Sequence, residues 1–419
     1  MRRHRGQLLA GLQSALVLSA FLTACAGGIS PVSHSQALPA AALATAGAVQ
    51  QAISTSALDA TWAQSAALKA PLSGLIDMQD INWHGTDDGQ PTFVIANVEK
   101  FKGIFGGIVI NATWSQMQPA AGTAPDFSAV DAALASIRKY NRENPKTPIG
   151  AKLRVYGGNS APSWAKQLSG GPVTIYRNPA GCDHLEDSCP LTIGLFWTQP
   201  YITAWRSFQA RVAAKYDSEP LVRAVAITSC ASQTDEPFVP TIGPISKLNM
   251  AHAATPYSDA AEQACLSGAV EDYSAWHRAQ IDFTFNVYSK FAGGTDPAFT
   301  ESVMAQCRTT LAARCVLDNH ALQSQLYPAD AAIYAAIKAA GGLINFQTQS
   351  PEAMGCLWKE TVAQGVGLGA RAIELWPETK YEGFDTLKPF QVRELASEFT
   401  SPEPPSPATP LPTPCSGFH

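Results

Sequence analysis

Charge is scarce in this chain: Asp, Glu, Lys and Arg make up 15% of its 419 residues, against 46% hydrophobic. That balance excludes a disordered chain and supplies enough apolar material for a large core. Basic clusters are also missing, and the net charge is -5. The chain therefore offers no field to a phosphate backbone, and no nucleic-acid partner is expected. No Gly-rich phosphate loop follows the first apolar run, no G-x-S-x-G elbow occurs, and no two cysteines stand in C-x-x-C spacing. These absences argue against a dinucleotide fold, a Ser-His-Asp hydrolase and a zinc site in turn. No cofactor and no metal are expected; Asp77, Asp80 and His84 are the nearest approach to a ligand set.

Long hydrophobic runs are few as well, and Leu8 to Leu22 is too short for a stable membrane span. It follows Arg2, Arg3 and Arg5 and runs into Leu22-Thr23-Ala24-Cys25. This resembles the lipobox of bacterial lipoproteins. The resemblance implies cleavage after residue 24, acylation of Cys25, and a mature chain held outside the cytoplasm on a membrane. An ordinary secretory signal is the other reading, and it also exports the chain. Residues 25–70, rich in Ala, Ser, Thr and Gln, are expected to be a tether, 71–400 a single domain, and 401–419 a Pro-rich tail. Export gives meaning to the other eight cysteines, an even set in an oxidising compartment. Neighbour pairing is the economical expectation: Cys182 with Cys189, Cys230 with Cys265, Cys307 with Cys315, Cys356 with Cys415. A monomer is expected.

Short apolar runs suited to buried parallel strands occur at 75–81, 107–112, 152–156, 222–227, 299–305, 315–322, 343–347 and 370–375. Helical spacing, with apolar residues recurring at three or four, occurs at 128–140, 201–216, 273–291, 328–340 and 353–364. This alternation predicts an α/β fold, a (β/α)8 TIM barrel stapled by disulfides, with function at the C-terminal ends of the strands. A doubly wound open sheet is the alternative.

Polar and aromatic residues gather just after those strands: Asp77 and Trp83, Asn111 and Trp114, Asn159 and Trp164, then Asp235 and Glu236 after the fourth. Asp318 and His320 follow the sixth strand, Gln347 closes the seventh, and Glu374 and Trp376 belong to the eighth. Rings that stack on sugar faces, mixed with carboxylates and amides that hold hydroxyls, describe a carbohydrate cleft. The stretches "GGIVINATWSQMQPAAGTAPDFSAVDAALASIRKYN", "KLRVYGGNSAPSWA" and "FWTQPYITAWRSFQARVAAKYDSEPLVRAVAITSC" resemble, in order and spacing, strands of the large glycoside hydrolase clan that includes β-galactosidases and cellulases. Asp235-Glu236-Pro237 stands where that clan carries Asn-Glu-Pro.

The resemblance implies that Glu236 is the general acid/base and that a second carboxylate faces the anomeric carbon. Asp235 in place of the clan's Asn adds a charge beside Glu236, which should raise its pKa. The seventh strand, where the clan keeps its nucleophile, ends Asn345-Phe346-Gln347 without an acid. Glu374 is the nearest candidate, and a buried ion pair with Arg371 or Arg154 is its other reading. Asp235 and Glu236 can also be read as turn residues before Pro237. The implied function is cleavage of O-glycosidic bonds. A glycan-binding barrel without catalysis and a two-lobed solute-binding lipoprotein are the competitors.

Overall fold

The computed structural model describes residues 68–79, 81–82, 90–91, 93–176, 190–238, 244–326, 328–354, 357–377 and 383–402, all within one compact unit, 61–419. Eight parallel strands close into a barrel: β1 Gly74–Asp77, β2 Phe105–Thr113, β3 Gly150–Tyr156, β4 Val222–Ala226, β5 Gln280–Thr284, β6 Cys315–Asp318, β7 Leu343–Gln347 and β8 Ala372–Leu375. Each is followed by a helix: α1 Ala96–Lys100, α2 Ser128–Glu143, α3 Gln199–Tyr216, α4 Asp259–Gly268, α5 Pro297–Leu311, α6 Pro328–Ala340, α7 Trp358–Gly367 and α8 Pro389–Ser397. This is the expected TIM barrel. Its single closed ring removes both the open doubly wound sheet and the two-lobed solute-binding architecture.

Two of the expected elements are exchanged. Residues 299–305, expected as a strand, lie in α5, and the true fifth strand sits inside the expected helix 273–291. The start of α5 is fixed by Asp296, whose side chain accepts the Phe299 N–H, and by Pro297 at the first helical position. β5 was hidden because Ile281 and Phe283 fall at spacings that also suit a helix following Tyr273 and Trp276.

Alternation along the strands sorts side chains between two environments. On β3, Ala151, Leu153 and Val155 pack outward under the helices, while Lys152, Arg154 and Tyr156 point into the barrel. On β5, Ile281 and Phe283 face out and Gln280, Asp282 and Thr284 face in. The interior is thus apolar at one end only. Leu72, Ile76, Val109, Ala224 and Ala372 form a small separate cluster at the N-terminal end. Gly107 makes room for it, since a Cβ there would come within 2.9 Å of both Leu72 and Ile76.

The same end is closed by a clamp. The Lys69 N–H donates to the Arg278 carbonyl at 2.9 Å and its ammonium to the Val222 carbonyl at 2.6 Å, while Gln280 donates to the Lys69 carbonyl at 2.7 Å. Beside it, the Asp217 carboxylate accepts the backbone N–H groups of His277, Arg278 and Ala279. Two of the expected disulfides are present, Cys230–Cys265 and Cys307–Cys315. Cys25, Cys182, Cys189, Cys356 and Cys415 lie outside the described residues.

Candidate active site

β4 ends in a hydrogen-bonded corner rather than in a helix. The Thr228 N–H donates to the Tyr273 hydroxyl at 2.9 Å, and its own hydroxyl donates to the Val155 carbonyl on β3. The chain then turns at Cys230, whose positive φ of 65° is unusual for a residue with a Cβ, and the disulfide ties that corner to Cys265 on α4. Beyond it, the Ser232 carbonyl accepts the Asn159 N–H at 2.9 Å. Gly158 permits this approach: its φ is +54°, and a Cβ there would stand 2.4 Å from the Ser232 oxygen. Phe238, buried against Phe283 and Phe285, anchors the far side. Between these anchors the loop delivers Asp235 and Glu236 to the C-terminal end of the barrel.

Asp235 turns inward. One of its oxygens lies 2.6 Å from Arg154 Nε. Burial opposes its ionisation, but Arg154, His320 and Lys152 outweigh that and hold its pKa below the usual carboxylate value. Glu236 stays nearer solvent, with its side chain about a quarter exposed. Asn286 Nδ2 donates to its Oε1 at 3.4 Å, and His320 Nδ1 stands 3.9 Å from the same oxygen. Its pKa is raised, first by burial and then by Asp235, against the opposing pull of His320. A half-buried carboxyl that holds its proton above the ordinary range is suited to giving that proton to a leaving oxygen.

Beneath them runs a buried ionic layer centred on Lys152. Its ammonium lies 2.6 Å from Glu374 Oε1, 3.1 Å from Asp282 Oδ2 and 3.2 Å from Asp318 Oδ2. Arg154 Nη2 takes the other Glu374 oxygen at 2.5 Å. Glu374 is 3% exposed, and both of its oxygens are held by cations. The Arg154 ion pair anticipated for Glu374 is therefore present, and Lys152 doubles it. Asp282 also accepts from Asn345 Nδ2 at 2.9 Å. Asp282 and Asp318 cannot both shed their protons cheaply at this depth: burial and Asp318 push Asp282 up, while Lys152 and His320 hold Asp318 down.

The barrel thus gathers Asp235, Glu236, Asp318, His320 and Glu374 into one connected network. Gln347 pairs in register with Glu374, and its buried Oε1 has no hydrogen-bond partner among the described residues. Trp376 lies just past β8, partly buried against the apolar core, its backbone N–H on the Thr348 hydroxyl.

Other expected cleft residues make contacts of their own within the fold. Trp114 is wholly buried, its ring enclosed by Phe208, Trp205, Tyr201 and Trp164, so no face is open to a sugar. Trp164 packs edge-on against it and donates to the Gln118 carbonyl at 3.1 Å. Asp77 shares the outward side of β1 with Leu375 of β8 and accepts from Gln79, with burial pushing its pKa up to about 7. Asn111 donates to the Gln79 carbonyl, lines a cavity of about 350 Å³ against α2, and pairs in register with Arg154 of β3. Asn159 is fully buried under the Ser232 carbonyl. Trp83, Asp80 and His84 lie outside the described residues.

Lys152, Asp282 and Asn286 were not foreseen, and Arg154 was foreseen only as a partner for Glu374. Their signal was present in part, since a strand reading Ala-Lys-Leu-Arg-Val-Tyr alternates where an ordinary buried parallel strand is apolar throughout.

No protein-family model and no curated protein sequence matches the chain. Among solved structures it is similar to the β-galactosidase of the psychrophilic Marinomonas ef1, with 11% identity, 78% of this chain and 59% of that one covered, and a TM-score of 0.47. It is also similar to an endo-β-1,4-glucanase of Xanthomonas axonopodis pv. citri, with 12% identity, coverage of 78% and 100%, and a TM-score of 0.44. A morphinone reductase stands beside these, with 13% identity, coverage of 72% and 81%, and a TM-score of 0.41. Likeness at this level assigns no activity.

Proposed function

We propose that this chain is an exported, lipid-anchored glycoside hydrolase-like barrel that cleaves O-glycosidic bonds, with Glu236 as the proton donor. The observation that carries the reading is Glu236 itself, a partly exposed carboxyl with a raised pKa at the functional end of a closed barrel, oriented by Asn286 and His320. Gln347 at the end of β7 and Trp376 just past β8 would supply an amide and a ring for holding a sugar. Two disulfides fit an oxidising compartment and so support export; acylation of Cys25 would supply the membrane contact.

One observation favours a second reading. Both oxygens of Glu374 are engaged by Lys152 and Arg154, so attack on an anomeric carbon would require a buried cation to release it first. A barrel that binds glycans without cleaving them needs no such release. Turnover of aryl glycosides and cell-wall polysaccharides, measured alongside glycan binding, separates the two. Glu236→Gln is expected to slow cleavage by about 10²- to 10⁴-fold while binding persists. Equal rates in mutant and wild type would remove Glu236 from the chemistry, and binding with no turnover in the wild type would favour capture.

A further inference from the structure

His320 was expected to hold sugar hydroxyls, but its geometry serves another purpose. The residue is 5% exposed, its ring held at Nε2 and turned with Nδ1 toward two carboxylates. On one side Nε2 lies 3.0 Å from the Thr284 hydroxyl of β5 and 3.4 Å from Asp318 Oδ2 of β6. On the other, Nδ1 stands 3.7 Å from Asp235 Oδ1 and 3.9 Å from Glu236 Oε1.

We propose that His320 is a positioning residue for Glu236: a buried ring, fastened to β5 and β6, that presents one edge to two neighbouring carboxyls at once and eases release of the proton held by Glu236. The proposal rests on the acid role given to Glu236 above. Of those two carboxyls, Asp235 also has Arg154 at 2.6 Å, whereas Glu236 has Asn286 and partial solvent. Charge therefore settles on Asp235 and the proton on Glu236. Burial alone would lower the pKa of His320, but Asp235, Asp318 and Glu236 together raise it to about 9. The other charged groups of the layer, Lys152 and Arg154 from β3, Asp282 from β5 and Glu374 from β8, reach the ring through Asp318 and Asp235. As a cation beside Glu236, His320 keeps its acidity within working range: without it, burial and Asp235 would push the proton affinity of Glu236 higher still.

The test is carbon and nitrogen NMR titration of the full chain, labelled at His and Glu side chains. In the wild type, His320 should stay doubly protonated at pH 7 and titrate near pH 9; titration near the ordinary histidine value of about 6.5 would overturn the proposal. This reading requires no variant to fold. In His320→Gln, the Glu236 carboxyl should titrate at higher pH than in the wild type. If the chain cleaves glycosides, the alkaline limb of its pH profile should move upward by the same amount. An unmoved Glu236 titration would sink the proposal. A moved titration in a chain with no turnover would uphold the pairing while overturning the hydrolase reading beneath it.

Discussion

Lys152 shows what the barrel interior asks of single residues. An ammonium 1% exposed has no water to compensate its charge, and it persists because Asp282, Asp318 and Glu374 surround it within 3.2 Å. Lys152→Met leaves those acids facing one another without their shared cation. It should lower the unfolding free energy by about 3–5 kcal/mol, read as a shift of the urea midpoint. A loss near that of an exposed surface pair, under about 1 kcal/mol, would show that the layer is hydrated. Legibility at this scale depended on contrast. Asp235, Glu236 and His320 stood out because they follow apolar runs, whereas Trp114 also follows one and proved to be core. An aromatic ring after a strand carries no mark that tells a sugar platform from packing, because both call for the same apolar surface.

At the scale of elements, the loop after β4 is held by its disulfide, by its contact with the turn at Gly158, and by Phe238. The Cys230–Cys265 bridge spans 35 residues of sequence and includes the whole loop that carries Asp235 and Glu236. Replacing both cysteines by Ser should cost about 3–4 kcal/mol by the chain-entropy argument. It should also broaden the NMR signals of Glu236, which a bridge remote from the site would leave unchanged. The misplacement of the fifth strand and helix belongs to this scale. "QIDFT" alternates like a half-buried strand, yet it is buried on both sides because its inner face pairs with charge rather than with methyl groups. Apolar periodicity looks for buried side chains that are greasy, and the ionic layer broke that link at β3 and β5. Asp296-Pro297 was the clearer signal, a cap and a first-turn proline that fix the start of α5 without reference to periodicity.

For the whole molecule, the ring was legible because chain length, eight strand-like runs and helical stretches between them leave few arrangements that bury everything. What escaped was the chemistry of its inside, which depends on side chains from β3, β5, β6 and β8 meeting across the closed ring, a relation no local window contains. Membrane attachment is tested at this scale as well: Cys25→Ala should move the protein from the membrane fraction to the soluble one, and unchanged fractionation would end the lipoprotein reading. The Lys69 clamp separates the two ends of the barrel. The chain joins the barrel on the floor beneath β4 and β5, opposite the rim where Glu236 sits. Weakening Lys69 should therefore loosen the starts of β4 and β5 while leaving the residues that flank Glu236 in place, so that loss of stability and loss of site geometry come apart at this one side chain.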